Sequence, residues 1–248
     1  MIKYIKNKIR KILYLLLGAE LVDIIRRENK YRKKRKTGEF ARYGIDRTIE
    51  SLMPYNSGFY VELGANDGAL ASNTYFFELK KNWKGVLIEP SPNLFLSCLK
   101  RRGDKNKVYC NACVSFDYDS ELVKMSYADS MTISEDLKLD IGNKKEFLDS
   151  SKKHLRTGED VFQFGAIAKT LDSILDDANA PSLIDFLSLD VEGAELEVLQ
   201  GINYQKFNFK YIVLESRDID FLMNFLKTKG YQLKKKLTHH DYLIEYIK

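Results

Sequence analysis

Residues 59–68 read FYVELGANDG, and the rest of the chain can be placed outward from them. Four residues suited to a buried strand, Phe59, Tyr60, Val61 and Leu63, run into Gly64, Ala65, Asn66, Asp67 and Gly68. Small and capping residues follow (Ala71, Ser72, Asn73, Thr74), then the apolar helical pattern of Tyr75, Phe76 and Leu79. Strand, tight glycine turn and helix start is the geometry that lets a nucleotide-like ligand approach backbone N–H groups at the end of a sheet. Glycine is needed where the chain turns sharply or where a Cβ would strike the ligand. The spacing is not GxGxxG, so a dinucleotide pyrophosphate is not the natural guest.

Reading forward, the same rhythm repeats. The spacing predicts a short lead-in helix over Asp46–Leu52, then helix Ser72–Lys80, strand Gly85–Glu89, helix Asn93–Arg102 and strand Lys107–Asn111. Alternating strands and helices imply parallel strands with right-handed crossovers. Residues 115–169 break the rhythm: a polar, mixed stretch with one predicted helix (Lys144–His154) and weak strand signals at Leu122–Tyr127 and Val161–Ala168. Its length exceeds what a connector needs, so it reads as an insertion over the sheet edge where substrates are gripped. The pattern resumes with helix Thr170–Ala178, strand Ile184–Leu189, helix Leu196–Ile202, strand Tyr211–Leu214 and helix Ile219–Lys229. Strands Tyr231–Leu237 and Tyr242–Ile247 around a turn at Thr238–His240 close the chain as an antiparallel hairpin. The expected fold is α/β: a mostly parallel seven-stranded, Rossmann-like sheet with helices on both faces, the layout of class I S-adenosylmethionine-dependent methyltransferases.

At 248 residues, 44% hydrophobic and 30% charged, the chain suits one soluble α/β domain with a short extension. Cys98, Cys110 and Cys113 are an odd number without metal-ligand spacing, which argues for a reducing, cytoplasmic compartment. Cys110 and Cys113 form CNAC, but zinc would need a second pair, so they read as small residues at a buried strand. The net charge of +5 owes much to residues 1–36. There Ile2, Ile5, Ile9, Ile12, Leu13, Leu16 and Leu17 recur at three- and four-residue steps among Lys3, Lys6, Lys8, Arg10 and Lys11, a basic amphipathic helix. Its longest apolar run, Ile12–Ala19, is too short to span a bilayer. Two roles stay open: docking on its own domain or a second subunit, or peripheral contact with the inner face of an anionic membrane. Arg32–Lys36 (RKKRK) reads as a solvated linker to a domain over 37–248.

Ligands bind beyond the carboxyl ends of parallel strands, and here those ends are rich in carboxylates. Glu62 would repel phosphate and attract a cation, and S-adenosylmethionine carries both a sulfonium and an ammonium. Glu89 ends the second strand where a carboxylate can accept both hydroxyls of a ribose. Gly64, Ala65, Asn66 and Gly68, with Asn73 beside them, leave room for the amino-acid tail, while Pro90, Asn111 and Ala112 lie toward the adenine. Asp190 and Glu215 should face the transferred methyl. Either Asp190 or Glu192 acts as general base, or Asp190 and Glu215 with His239 or His240 hold a divalent ion (Mg, Mn or Fe) that acidifies the acceptor. The bland alternative is that Glu192 and Glu195 cap a helix and the histidines are solvated. Lys152, Lys153, Arg156 and Arg217 read as solvated surface, with a sugar nucleotide's phosphates as the sharper option.

These residues resemble the FkbM family of methyltransferases. The pieces are VELGANDGALASNT (61–74), GVLIEPSPNLF (85–95), NACVS (111–115), TLDSIL (170–175), IDFLSLDVEGAELEVLQGI (184–202) and VLES (213–216), in family order. The resemblance implies a class I fold and methyl transfer from S-adenosylmethionine, often to a sugar or natural-product hydroxyl. It implies cofactor roles for Glu62, Gly64, Asn66, Gly68 and Glu89, and places Asp190, Glu192 and Glu215 near the acceptor. The expected acceptor is a sugar or nucleotide-linked sugar used in a surface polysaccharide. A small amine or amide, or a cofactor-binding scaffold without catalysis, are the alternatives. Nucleic acid is not an expected partner, because the basic segment is detached from the site and no asparagine–proline–aromatic tetrad is present.

Overall fold

The computed structural model describes residues 17–248. The apolar positions Ile2 to Leu16 of the basic segment lie outside the described residues. Helix α1 (Ala19–Thr37) takes in Arg32–Lys36, which corrects the linker reading: these charges occupy the last turns of a helix. Gly38 ends it, with φ at +81° and its N–H donating to the Lys34 carbonyl at 2.7 Å. Tyr31 of α1 is buried, and its hydroxyl donates to Asp67 at 3.0 Å. The segment after Gly38 buries Phe40 against Tyr75, and helix α2 (Ile45–Leu52) follows.

The strands of the main sheet are β1 (Phe59–Leu63), β2 (Lys84–Ile88), β3 (Lys107–Tyr109), β8 (Leu183–Leu189), β9 (Asn208–Glu215), β10 (Tyr231–Lys236) and β11 (Asp241–Tyr246), in the spatial order β3-β2-β1-β8-β9-β11-β10. β11 alone runs antiparallel to its neighbours, β9 and β10. The seven strands, the parallel order and the closing hairpin are those expected. Each central strand is apolar on both sides because both sheet faces are covered. One face packs Val61, Leu187 and Ile212 against α6 (Leu171–Asp177), α7 (Glu195–Gln200) and α8 (Ile219–Thr228). The other packs Tyr60, Leu87 and Phe186 against α2 and α3 (Tyr75–Lys81), with Trp83. Helix α4 (Pro92–Arg102) brings Cys98 to that face, and Arg102 beside it.

The insertion is a second sheet. β4 (Ala112–Val114), β5 (Leu122–Tyr127), β6 (Ile133–Ser134) and β7 (Phe162–Thr170) line up as β4-β7-β5-β6. The predicted strand to Asn111 is thereby corrected: the chain leaves the main sheet after Tyr109, and Ala112 opens the second one. β5 alternates in burial, with Val123 and Met125 facing Ala112, Val114 and Ala166 in a small core of its own. Helix α5 (Lys144–Ser151) continues into a 3-10 turn to His154. Asp140 fastens this layer to the main sheet. Its carboxylate accepts from the N–H groups of Arg217 and Asp218, both at 2.9 Å, and from the Ser216 hydroxyl at 3.2 Å.

Candidate active site

Between the carboxyl ends of β1, β2, β8 and β9 and the second sheet lies a cavity of about 700 Å³. The turns after β1 and β8 meet at its floor. A Cβ on Gly64, whose φ is +74°, would stand 1.9 Å from the Asp190 carbonyl oxygen, so only glycine permits the approach. Asn66, also left-handed at φ +48°, points its N–H at Glu89 Oε2 (2.9 Å), and the Ser91 N–H donates to Oε1 (2.9 Å). Glu89 is therefore fixed at the cavity wall with one donor on each oxygen and a further lone pair on each to offer. Burial outweighs these bonds and raises its pKa to about 7.

Of the sequence-predicted cofactor residues, Gly64, Asn66, Asn73, Glu89, Pro90, Asn111 and Ala112 line this cavity. Glu62, Ala65 and Gly68 do not. Strand alternation puts Glu62 on the Tyr60 side of the sheet, one layer behind the wall. There it accepts from the Arg102 guanidinium (3.0 Å), the Ser72 and Thr74 hydroxyls (3.0 and 2.7 Å) and the Asn73 N–H (3.0 Å). Its charge is matched inside the protein, so Glu62 stands behind the wall on which it was expected to meet the cofactor. Arg102 also pairs with Glu78 at 2.7 Å and donates to Tyr60 at 2.7 Å, a buried polar knot under the β1 turn. Gly68 faces Cys98 and Arg102, and Ala65 sits in the apolar core.

Asp190, Glu192 and Glu215 come together at the far end of the floor, one oxygen from each within 4.8 Å of the others. Depth, then Glu215 and Glu195, push Asp190 well above the usual carboxylate range. Its side chain opens onto the cavity, where water moderates the effect of depth but the neighbouring charges remain. Burial, then Asp190 and Glu215, raise Glu192 likewise. Glu195 is the first residue of α7 and caps none of its N–H groups; it accepts instead from the Val191 and Gly193 N–H groups of the preceding turn at 3.2 and 3.3 Å. Glu192 caps nothing. His239 and His240 do reach the rim, since the Ser216 N–H donates to the His240 carbonyl at 2.9 Å. Their rings stack on one another at 5.3 Å and stand outside the carboxylate cluster. The group with the spacing to hold an ion is thus the three carboxylates, without the imidazoles.

Several wall residues carried no sequence signal. Arg42 and Tyr43 come from the segment after Gly38, and Asp129, Ser130, Thr132 and Ser134 from the second sheet. Arg156, expected to be solvated, is instead partly buried. It pairs with Asp129 at 3.0 Å and donates to the Asn66 side chain at 3.2 Å, joining the insertion to the glycine turn. Arg217 donates to the Asp140 carbonyl at 3.3 Å, whereas Lys152 is an exposed partner of Asp149. Cys113 is buried on β4, and Cys110 is half-buried in the link between β3 and β4.

The strand order, the glycine turn after β1 and the carboxylate ending β2 define a class I S-adenosylmethionine-dependent methyltransferase. The chain belongs to the FkbM family, for the family model described as the methyltransferase FkbM domain matches residues 62–233. A search of the curated proteins returned no match. Among solved structures, the chain is similar to precorrin-6y C5,15-methyltransferase from Geobacter metallireducens, at 15% identity over 81% of this chain and 86% of that one, TM-score 0.41. A TehB-like S-adenosylmethionine-dependent methyltransferase from Corynebacterium glutamicum is 9% identical over 89% and 94%, TM-score 0.41. TrmK from M. capricolum, solved with S-adenosylhomocysteine, is 11% identical over 81% and 65%, TM-score 0.41.

Proposed function

We propose that the protein moves the methyl group of S-adenosylmethionine to a hydroxyl of a sugar or nucleotide-linked sugar used in a surface polysaccharide. The observation that carries this reading is the cluster of Asp190, Glu192 and Glu215 on the cavity floor, in which burial and the neighbouring carboxylates raise the proton affinity of Asp190 and Glu192. A sugar hydroxyl is a poor nucleophile until its proton leaves, and a carboxylate with raised affinity is suited to receive it. The hydroxyl oxygen attacks the sulfonium methyl in line. The carbon–sulfur bond breaks, its electron pair stays on sulfur as the neutral thioether, and the hydroxyl proton passes to Asp190 or Glu192. Positioning supplies most of the acceleration. Among the wall residues, Ser130 offers a short polar group suited to a further sugar hydroxyl. Coordination of the hydroxyl by a divalent cation is a second route to the same deprotonation and draws on the same carboxylates.

The test is incubation with labelled cofactor and a panel of nucleotide sugars, amino sugars and small amines, read by mass for one added methyl. A hydroxyl product that disappears in Asp190→Asn, with S-adenosylhomocysteine still bound, supports the reading. Methylation of amines alone refutes it. Helix α1 leaves Leu21, Ile24 and Ile25 exposed next to Arg26, Lys30 and Arg32, which supports a cytoplasmic protein touching the inner face of an anionic membrane. No helix among the described residues is long and apolar enough to cross one. Equal sedimentation of parent and Leu21→Asp/Ile25→Asp protein with anionic liposomes would refute that contact.

A further inference from the structure

We infer that Asp190, Glu192 and Glu215 bind one divalent cation of the hard, oxygen-seeking kind (Mn, Mg or Ca), and that the acceptor hydroxyl completes its coordination. The second half rests on the carbohydrate reading above, while the cation site stands on the geometry alone.

The first observation is spacing. Oxygens bound to one such ion at about 2.0–2.6 Å are at most about 4–5 Å apart. The three carboxylates already each present an oxygen within 4.8 Å of the others. Ca fits that spread as it stands, while the shorter bonds of Mn and Mg require the carboxylates to close by about half an ångström. The donors are all carboxylate oxygens, which favours these ions over zinc and other metals that prefer nitrogen or sulfur.

The second observation is independent of the clustering. Glu192 is 7% exposed, and its Oε2 has no hydrogen-bond donor among the described residues. A buried carboxylate oxygen left without a donor costs free energy, and proteins rarely tolerate it without a reason. The nearby buried carboxylates obey the rule. Glu89 holds the N–H groups of Asn66 and Ser91, and Glu195 those of Val191 and Gly193. Glu192 breaks it within reach of two more carboxylates.

The chain's own cations do not fill the gap. Arg217 stands 3.9 Å from Glu215 and is engaged with the Asp140 carbonyl, while Arg42 lines the cavity without an ion pair to the cluster among the described residues. His239 and His240, stacked on each other, are not in the set. One guanidinium at the edge therefore faces three carboxylates, and a doubly charged ion is the complement of lowest energy. The methyl donor is itself a cation and competes for the same field, so the measurement must separate the two.

The experiment is titration of Mn into EDTA-stripped, full-length protein, following loss of the free-ion signal by electron paramagnetic resonance, with and without S-adenosylhomocysteine. One Mn per chain is expected, displaced by excess Mg or Ca. Glu192→Gln and Glu215→Gln should each weaken it about tenfold or more, with S-adenosylhomocysteine affinity of the stripped protein held within about threefold as the check on folding. Glu245→Gln, on an exposed strand pair away from the cavity, should leave Mn binding unchanged. An undiminished free-ion signal at stoichiometric protein, or Glu192→Gln binding Mn as tightly as the parent, overturns the site. If Mn binds but no hydroxyl is methylated, the carbohydrate reading fails and the cation site stands. If hydroxyls are methylated at full rate by stripped protein that binds no Mn, the reverse holds.

Discussion

Replacing Glu62 with Gln separates a carboxylate that supports the site from one that touches the cofactor. In the structure one Glu62 oxygen accepts from Arg102, Ser72 and Thr74 and the other from the Asn73 N–H. Gln keeps the shape but loses the charge, and its NH₂ must face a donor. Buried hydrogen bonds to a charged group are each worth about 1.5–3 kcal/mol, and removing one partner from a buried ion pair costs about 3–5 kcal/mol. Arg102 keeps Glu78 at 2.7 Å, which offsets part of the loss, so the expected cost is about 2–4 kcal/mol. For a chain of this size that lowers Tm by roughly 4–16 °C. The assay pairs thermal unfolding with calorimetric titration of S-adenosylhomocysteine well below the transition. Glu62 does not line the cavity, so affinity should stay within about threefold of the parent. An unchanged Tm with affinity reduced tenfold or more would refute this account and make Glu62 a cofactor ligand.

Glu89, with its pKa raised to about 7 by burial, must be ionised to accept two ribose hydroxyls. Cofactor affinity is therefore nearly full at about pH 8, about half that at pH 7, and about tenfold lower at pH 6. Glu89→Gln should bind more weakly and lose that pH dependence, as calorimetry at several pH values would show. Gly64→Ala forces a Cβ to within 1.9 Å of the Asp190 carbonyl at φ +74°. It should cost at least about 1–2 kcal/mol from the backbone alone and abolish cofactor binding, read by thermal unfolding and titration. Asp140→Ala unfastens the second sheet from the Arg217–Asp218 backbone. The KM for the acceptor should rise about tenfold, the loss of roughly one hydrogen bond to a charged group, while cofactor affinity stays unchanged.

The main sheet was legible because its strands are short apolar runs punctuated by glycine, proline and acidic turns, signals that need no knowledge of partners. Gly64, Glu89 and Asp190 followed from position at strand ends. Glu62 was misplaced because its partner, Arg102, lies 40 residues away on a helix and no local pattern announces a buried ion pair. The alternation of β1 does carry the hint, since Glu62 shares a face with the buried Tyr60 rather than with the turn. β4 was missed because three residues leave no period to read. The histidines were put at the right rim, but which way a turn side chain points depends on packing that sequence does not display. Asp129 and Arg156 were hidden for a related reason: each looks like surface until the insertion folds down onto the glycine turn.

The two ends of the insertion run side by side, Ala112 opposite Ala168 and Val114 opposite Thr170. A segment that enters and leaves at one seam can change length or composition without pulling on the framework beneath, because its closure is already fixed by the ladder. Exchange of residues 115–167 between relatives should thus change which molecule is modified and keep cofactor binding when Asp129 and Arg156, the insertion's ties to Asn66, are retained. One parallel seam thus hinges a replaceable layer onto the framework that carries the glycine turn.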